Sequence, residues 1–446
     1  MVTAMRIKIN RALGFYDEYI YKILFVVFGI LYWVYRLTPI VDLVLSALVL
    51  VALIPTFINF ARIKKNDFRF VLSLLTLILG IATVAFCVNK RSTTVVLIYT
   101  LIKMIVLGFC SGNKSELRLE EELYTLFRLI VSIGTVILLV SLFTYFAGMS
   151  IPYVISSSDD ATTLYVGISA DKSALCGILA NGNMLSNLCV IYLGCLLCLI
   201  EKLRYVSLKI IGYILVLLDL FAQIRTFSRG GLIGMLLVLG IYFWYKFKQI
   251  MSGSYGNRVF RAVFLIIAVT VVVLFLFIGG KINIFSVLNR TQEDFDRNTG
   301  VRLTLWSAAI RATISSVQSF LFGIGHGIKE TMKQYTEMVV SERLYSNVHN
   351  SYLQKALEFG VPSAIIMITY FYRMLKAGFE SIRNSAGKNL TMKILFGTVS
   401  ALLVTNLVES DMLGRSFEGT VVWIFAGYLY AISAKKSVPV KMPVER

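Results

Sequence analysis

Apolar runs of roughly 18 or more residues, each long enough to cross a bilayer core, recur along the chain with short polar breaks between them. The pattern predicts about twelve helical spans, near residues 20–37, 39–60, 68–89, 92–110, 123–147, 173–200, 208–225, 229–245, 259–279, 355–374, 391–409 and 418–434. Two longer segments interrupt them. One is "GMSIPYVISSSDDATTLYVGISADK" at 148–172. The other, 281–350, is the only polar stretch large enough for a small subdomain. Within it, "VRLTLWSAAIRATISSVQSFLFG" reads as an amphipathic helix with an apolar stripe of Leu303, Trp306, Ile310 and Ile314. A second polar helix is expected over Lys329–Arg343. The expected fold is an all-α polytopic membrane protein. It forms one transmembrane domain over 1–446, with an extracytoplasmic helical loop subdomain at 281–350 between the ninth and tenth spans.

Lysine and arginine orient the chain. With the N-terminus inside, the inner segments carry Arg6, Lys8 and Arg11, then Arg62, Lys64 and Lys65, then Lys202 and Arg204, Lys246 and Lys248, and Arg373, Lys376 and Arg383. The outer segments are mostly poor in both residues, "NKRS" at 89–92 excepted. The start, "MVTAMRIKIN", is basic and amphipathic and is expected to lead straight into the first span rather than to form a cleavable signal. Both termini are expected in the cytoplasm.

Composition changes this picture in two places. The formal net charge is +19, although only 15% of the 446 residues are charged and 57% are hydrophobic. Such a charge suggests nucleic acid, but the basic residues sit at span ends, where they set topology and attract anionic headgroups. Membrane lipids are therefore expected partners and nucleic acid is not. The six cysteines, Cys87, Cys110, Cys176, Cys189, Cys195 and Cys198, all lie in or at the ends of apolar runs. They read as small buried hydrophobes rather than as a disulfide or metal framework.

Charges at membrane depth are functional candidates with structural alternatives. "RTFSRGGLIG" places Arg225 and Arg229 at the outer membrane edge. Headgroup anchoring accounts for both. Arg229 asks for more, since it lies against the positive-inside bias and precedes Gly230, Gly231 and Gly234, which permit close approach of backbone or ligand. Lys103 and Asp219 lie deeper and either pair across two helices or line a water-filled cavity. Asn181, Asn183 and Asn187 are read as helix–helix hydrogen-bonding groups. Arg302 alone reads as a solvated helix arginine, and "FGIGHGI" at 322–328 as a turn joining two loop helices, with His326 structural. His349 and Asn350 fall where the loop re-enters the membrane. A histidine there is either a hydrogen-bonding residue or a proton carrier suited to neutral pH.

Several of these stretches resemble one family together: the O-antigen ligases and Wzy-type polysaccharide polymerases, bacterial membrane proteins that act on undecaprenyl-pyrophosphate-linked glycans. "TFSRGGLIG" at 226–234 is similar to the family's Thr-x-Ser-Arg turn. "RLTLWSAAI…FGIGHG" at 302–327 is similar to its Arg-x-x-x-Trp helix and glycine-rich turn, and "HNSYLQKALEFGVPS" at 349–363 to its His-Asn-x-x-Leu…Glu-x-Gly segment. "GILANGNMLSN" at 177–187 matches an asparagine-containing span. This chain lacks the proline often found before the glycine turn. The likeness covers roughly the second half of the chain.

The resemblance implies a GT-C-like helical fold with an outward-facing site in the cytoplasmic membrane, and it points to Arg229, Arg302 and His349 as catalytic. The implied reaction transfers a glycan from an undecaprenyl-pyrophosphate-linked donor to a sugar hydroxyl acceptor. Arginine forks match pyrophosphate oxygens and remain charged, so no metal or cofactor is expected. His349 would take the acceptor proton, with Glu409 and Asp411 as second choices. Arg225, Asn350, Trp306, Tyr345 and Glu409 are candidate substrate contacts, with Tyr335 and Tyr352 as further stacking surfaces. A polymerase of repeat units, with a chain-length regulator as partner, is the first expectation. A ligase using a lipid A core acceptor and a flippase of lipid-linked sugars are the alternatives.

Overall fold

The computed structural model describes residues 67–104, 116–156, 161–169, 174–179, 181–251, 292–336, 347–384, 390–409 and 417–436. The spans expected at 20–37, 39–60 and 259–279 lie outside them, as do Tyr345, Asp411 and Cys110. The chain is mostly helical. Its elements in order are α1 (Phe68–Phe86), α2 (Lys90–Ile102), α3 (Glu116–Phe146), β1 (Ser150–Ser156), β2 (Ala161–Ile168), β3 (Leu175–Gly177), α4 (Gly182–Lys202), α5 (Val206–Arg225), α6 (Arg229–Met251), α7 (Gln292–Ile314), α8 (Val317–Phe322), α9 (Lys329–Tyr335), α10 (Ser351–Asn384), α11 (Leu390–Thr405) and α12 (Phe417–Lys436). Among the described residues, α1, α3, α4, α5 and part of α6 are long and apolar enough to cross a membrane, and α11 and α12 are shorter apolar helices.

The helices are arranged as lipid demands. In α1 the buried face is Ser73, Thr76, Gly80 and Thr83, while Leu74, Leu75, Ile78 and Ile81 point outward. Small residues toward protein and large apolar ones away from it is the packing expected where lipid is as apolar as leucine. At the centre stands α4, buried on every side from Met184 to Cys198. It packs against α3, α5, α6, α11 and α12. Gly194 admits the Thr398 side chain of α11 where a Cβ would collide.

At one end of this bundle the charges close on one another. Lys246 pairs with Glu201 at 2.6 Å, Arg69 pairs with Asp67 at 2.7 Å, and Lys202 lies 3.6 Å from the Tyr124 ring centroid. The opposite end carries the N-termini of α4, α6 and α10 and the C-termini of α5 and α11.

Three expectations change. The segment at 148–172 is not plain loop: β1 and β2 form an antiparallel hairpin and β3 joins as a third strand. The sixth span therefore starts at Gly182 rather than near 173, because Leu175–Gly177 is held by β2. Asn181 is not inside a span but caps it, its Oδ1 accepting from the N–H groups of Asn183 (2.9 Å) and Met184 (3.3 Å).

The long loop and the start of α10 share a small core of Leu305, Ala308, Ala309, Ala312, Ile328, Met332, Val348 and Leu357. The buried stripe of α7 is thus leucine and alanines. Leu303, Ile310 and Ile314, from the expected apolar stripe, are exposed, and Trp306 is half-buried at the border. Packing of α7 on α9 and α10 decides which face turns inward. The helix ends at Ile314, and α8 restarts behind a Ser316–Ser319 capping box. α9 begins at Lys329 as expected and ends at Tyr335.

Candidate active site

Three segments distant in sequence meet at the end of the bundle away from Lys202 and Lys246. The first is the turn from α5 to α6. Thr226 is buried; its hydroxyl donates to the Gln223 carbonyl (2.7 Å) and accepts from the Ser228 N–H (3.3 Å). Phe227, between them, adopts a left-handed backbone with φ 55°, uncommon for a bulky residue. With its amide oxygen accepting from Leu232 N–H (3.0 Å) and Ser186 Oγ (2.6 Å), Gln223 ties this turn to α4 and α6. The "TFSRG" stretch is therefore a tight reversal between two spans, and it sets Arg229 at the first position of α6.

The second segment is "VHNSYLQ". His349 is the other described non-glycine residue with a left-handed backbone, at φ 53°. It is held in place from both sides. Its N–H donates to Asn347 Oδ1 (2.8 Å), and the preceding carbonyl of Val348 accepts from Trp306 Nε1 (3.1 Å). Asn350 then starts α10, its Oδ1 accepting from the Tyr352 and Leu353 N–H groups at 3.0 Å each.

The third segment is the end of α11. Ser351 N–H reaches the carbonyls of Asn406 (3.0 Å) and Glu409 (2.9 Å), and its hydroxyl donates to Asn406 Oδ1 at 2.6 Å. Tyr352 OH donates to the Leu403 carbonyl (2.9 Å). This stitching brings the largely buried Glu409 under the loop. One carboxylate oxygen accepts from Arg302 Nη2 at 3.1 Å; the other lies 3.7 Å from His349 Nδ1. That nitrogen is buried and has no hydrogen-bond partner, so the Glu409 contact is an approach rather than a formed bond. Arg302 and His349 thus converge on a carboxylate more than fifty residues further along the chain.

Arg229 is brought to the same end by its neighbour. A Cβ built on Gly230 would lie 2.8 Å from the Val408 side chain, one residue from Glu409. Arg225 turns elsewhere: its guanidinium lies 4.8 Å from the Tyr145 ring centroid and its Nε is buried without a hydrogen-bond partner. Trp306 and Asn350 each have a framework function, as a donor to Val348 and a helix cap. Tyr335 packs against the loop core and Tyr352 is engaged with Leu403.

Lys103 and Asp219 do not pair. Asp219 is buried on the α5 face toward the Cys189 thiol of α4. Among the described residues no three of His, Cys, Asp and Glu group as metal ligands.

Two glycine motifs lock the loop onto α10. Ile324 N–H donates to the Leu357 carbonyl (2.9 Å) and Gly325 N–H to that of Glu358 (3.0 Å). Gly323 lies against the backbone of Glu358 and Phe359, and Gly360 against the carbonyl of Leu321. Both have positive φ, 74° and 83°, and neither has room for a Cβ. Gly360 also breaks the helix internally, with Pro362 following. Of the polar residues that bind these pieces, the sequence singled out only Glu358, in its Glu-x-Gly segment, and not Gln354, Ser351 or Asn406. The available signal was Gln354 and Glu358 at i, i+4, a spacing that places both on one helix face.

Residues 214–368 match the family described as O-antigen ligase. No curated protein matches the chain. The matched segment runs from α5 through the first half of α10; it includes the Arg229 turn, Arg302, both glycine motifs and His349, while Glu409 lies beyond its end. Over that segment, about a third of its length, the chain is similar to the O-antigen ligase family.

Proposed function

We propose that this protein is a GT-C-like glycosyltransferase of about twelve spans, whose site faces outward from the bacterial cytoplasmic membrane. It joins undecaprenyl-pyrophosphate-linked repeat units into capsular or O-antigen polysaccharide. The observation that carries the reading is the convergence of Arg302 and His349 on Glu409. An acceptor sugar hydroxyl attacks the anomeric carbon of the donor. The bond from that carbon to the pyrophosphate oxygen breaks, and its electron pair leaves with the pyrophosphate. The hydroxyl proton passes to His349 through Nε2, while Nδ1 faces Glu409, which steadies the imidazolium that forms. Contacts of this kind are often long without substrate and tighten in the reactive complex. Arg302 and Arg229 receive the charge developing on the leaving group, the role a divalent cation fills in other transferases. With no enzyme nucleophile in the sequence of steps, configuration at the anomeric carbon inverts.

The family description favours a second reading, a ligase that uses the same donor and a lipid A core acceptor. Incubating the reconstituted protein with a lipid-pyrophosphate-linked repeat unit, alone and with lipid A core, separates the two. Longer glycans from donor alone indicate a polymerase; product only with the core indicates a ligase. No covalent product in either arm, across matched substrates, sinks both. A folded His349→Ala protein with full turnover removes His349 as the base.

A further inference from the structure

A chain of hydrogen bonds runs from His326 to the backbone beside His349. His326 Nδ1 lies 2.8 Å from Glu358 Oε1. The same oxygen accepts from Gln354 Nε2 at 2.6 Å, and Gln354 Oε1 accepts from the Val348 N–H at 2.8 Å. Glu358 and Gln354 are buried, whereas the His326 ring is half-exposed. The arrangement has a direction. A carboxylate only accepts, so Glu358 turns the Gln354 amide with its nitrogen inward and its oxygen toward Val348. Val348 is then gripped at both backbone groups, by Gln354 and by Trp306. The next residue is His349, in a left-handed conformation that the surroundings must enforce.

We propose that Glu358, acting through Gln354, is a positioning residue for His349, with His326 as its outer anchor. This rests on the reading of His349 as the group that takes the acceptor proton. It assigns a function to "FGIGHG", whose turn delivers His326 to Glu358: His326 N–H donates to Thr93 Oγ1 (2.8 Å) and Gly325 N–H to the Glu358 carbonyl. A misplacement of about 1 Å at a reacting group can lower a rate roughly a hundredfold, so loss of the relay is expected to act on turnover rather than on donor binding.

The chain has only two histidines, which makes the test direct. The full chain, labelled with 15N-histidine and placed in lipid nanodiscs, gives two imidazole signal sets, assigned by His326→Gln. Glu358→Ala and Gln354→Leu are each expected to shift the His349 ring signals. They are also expected to lower kcat about 10- to 100-fold with donor KM unchanged. Glu358→Gln, whose amide oxygen still accepts from Gln354, is expected to restore both toward the parent. Lys355 is buried one turn from Glu358, with Nζ 3.7 Å from the Phe359 ring centroid, so Glu358→Ala carries a folding risk that Gln354→Leu avoids. Unmoved His349 signals in a folded Gln354→Leu protein overturn the proposal, as does full turnover in that variant. The ring signals need no turnover, so they judge the relay even if His349→Ala removes the base reading.

Discussion

Replacing Glu409 by glutamine keeps the shape of the side chain and an oxygen for Arg302 but removes the negative charge that faces both Arg302 and His349. The consequence can be sized. At the 3.7 Å separation from His349 Nδ1, attraction between a carboxylate and an imidazolium is about 1 kcal/mol in water and about 4 kcal/mol at an effective dielectric constant near 20. The two side chains are 25% and 11% exposed, which places the site between these limits and nearer the second. A loss of about 2–3 kcal/mol in the step that protonates His349 is roughly a 30- to 150-fold fall in kcat. Donor binding moves differently. Arg302 is released from its internal anion, so donor KM is expected to stay level or fall. Initial rates of glycan elongation, measured by gel over a range of lipid-linked donor concentrations in proteoliposomes, separate the two terms. Full turnover in the glutamine variant, or a defect carried wholly by a higher donor KM, would refute the argument.

Other outcomes follow from single contacts. Arg302→Lys keeps the charge but loses the planar fork, and turnover is expected to fall about 100-fold; near-parent rates would show that a point charge suffices. Gly360→Ala must hold φ at 83° with its Cβ against the Leu321 carbonyl. It is expected to lose at least ~2 kcal/mol, read as a lowered thermal midpoint in detergent. Gly240→Ala, a helix position with open space around it, should match the parent or gain up to about 1 kcal/mol. Asp219→Asn removes the charge of a buried carboxylate that faces Cys189, away from the Arg302–His349–Glu409 cluster, so glycan transfer is expected to be unchanged; abolished turnover in a folded variant would show that this carboxylate serves the reaction.

Much of this protein was legible as sequence because the bilayer imposes a local rule. A long apolar run must become a helix, since no water is there to satisfy its backbone, and α1, α3, α5 and α6 start or end within a few residues of where those runs do. The segments bearing Arg229, Arg302 and His349 were equally visible, since each is a contiguous pattern. Choices between partners were not local. The face α7 buries was settled by its packing on α9 and α10, with Ala308, Ala309 and Ala312 in the shared core and Ile310 and Ile314 left outside. Lys103 and Asp219 were plausible partners by depth alone, yet Asp219 faces Cys189 of α4. Glu409 could be named from its place at a span end but not given its neighbours. It meets Arg302 and His349 only because Ser351 and Asn406 stitch the start of α10 to the end of α11. Helix positions follow from the solvent each residue must meet, which is written along the chain; the convergence of charges depends on how helices pack, which is not.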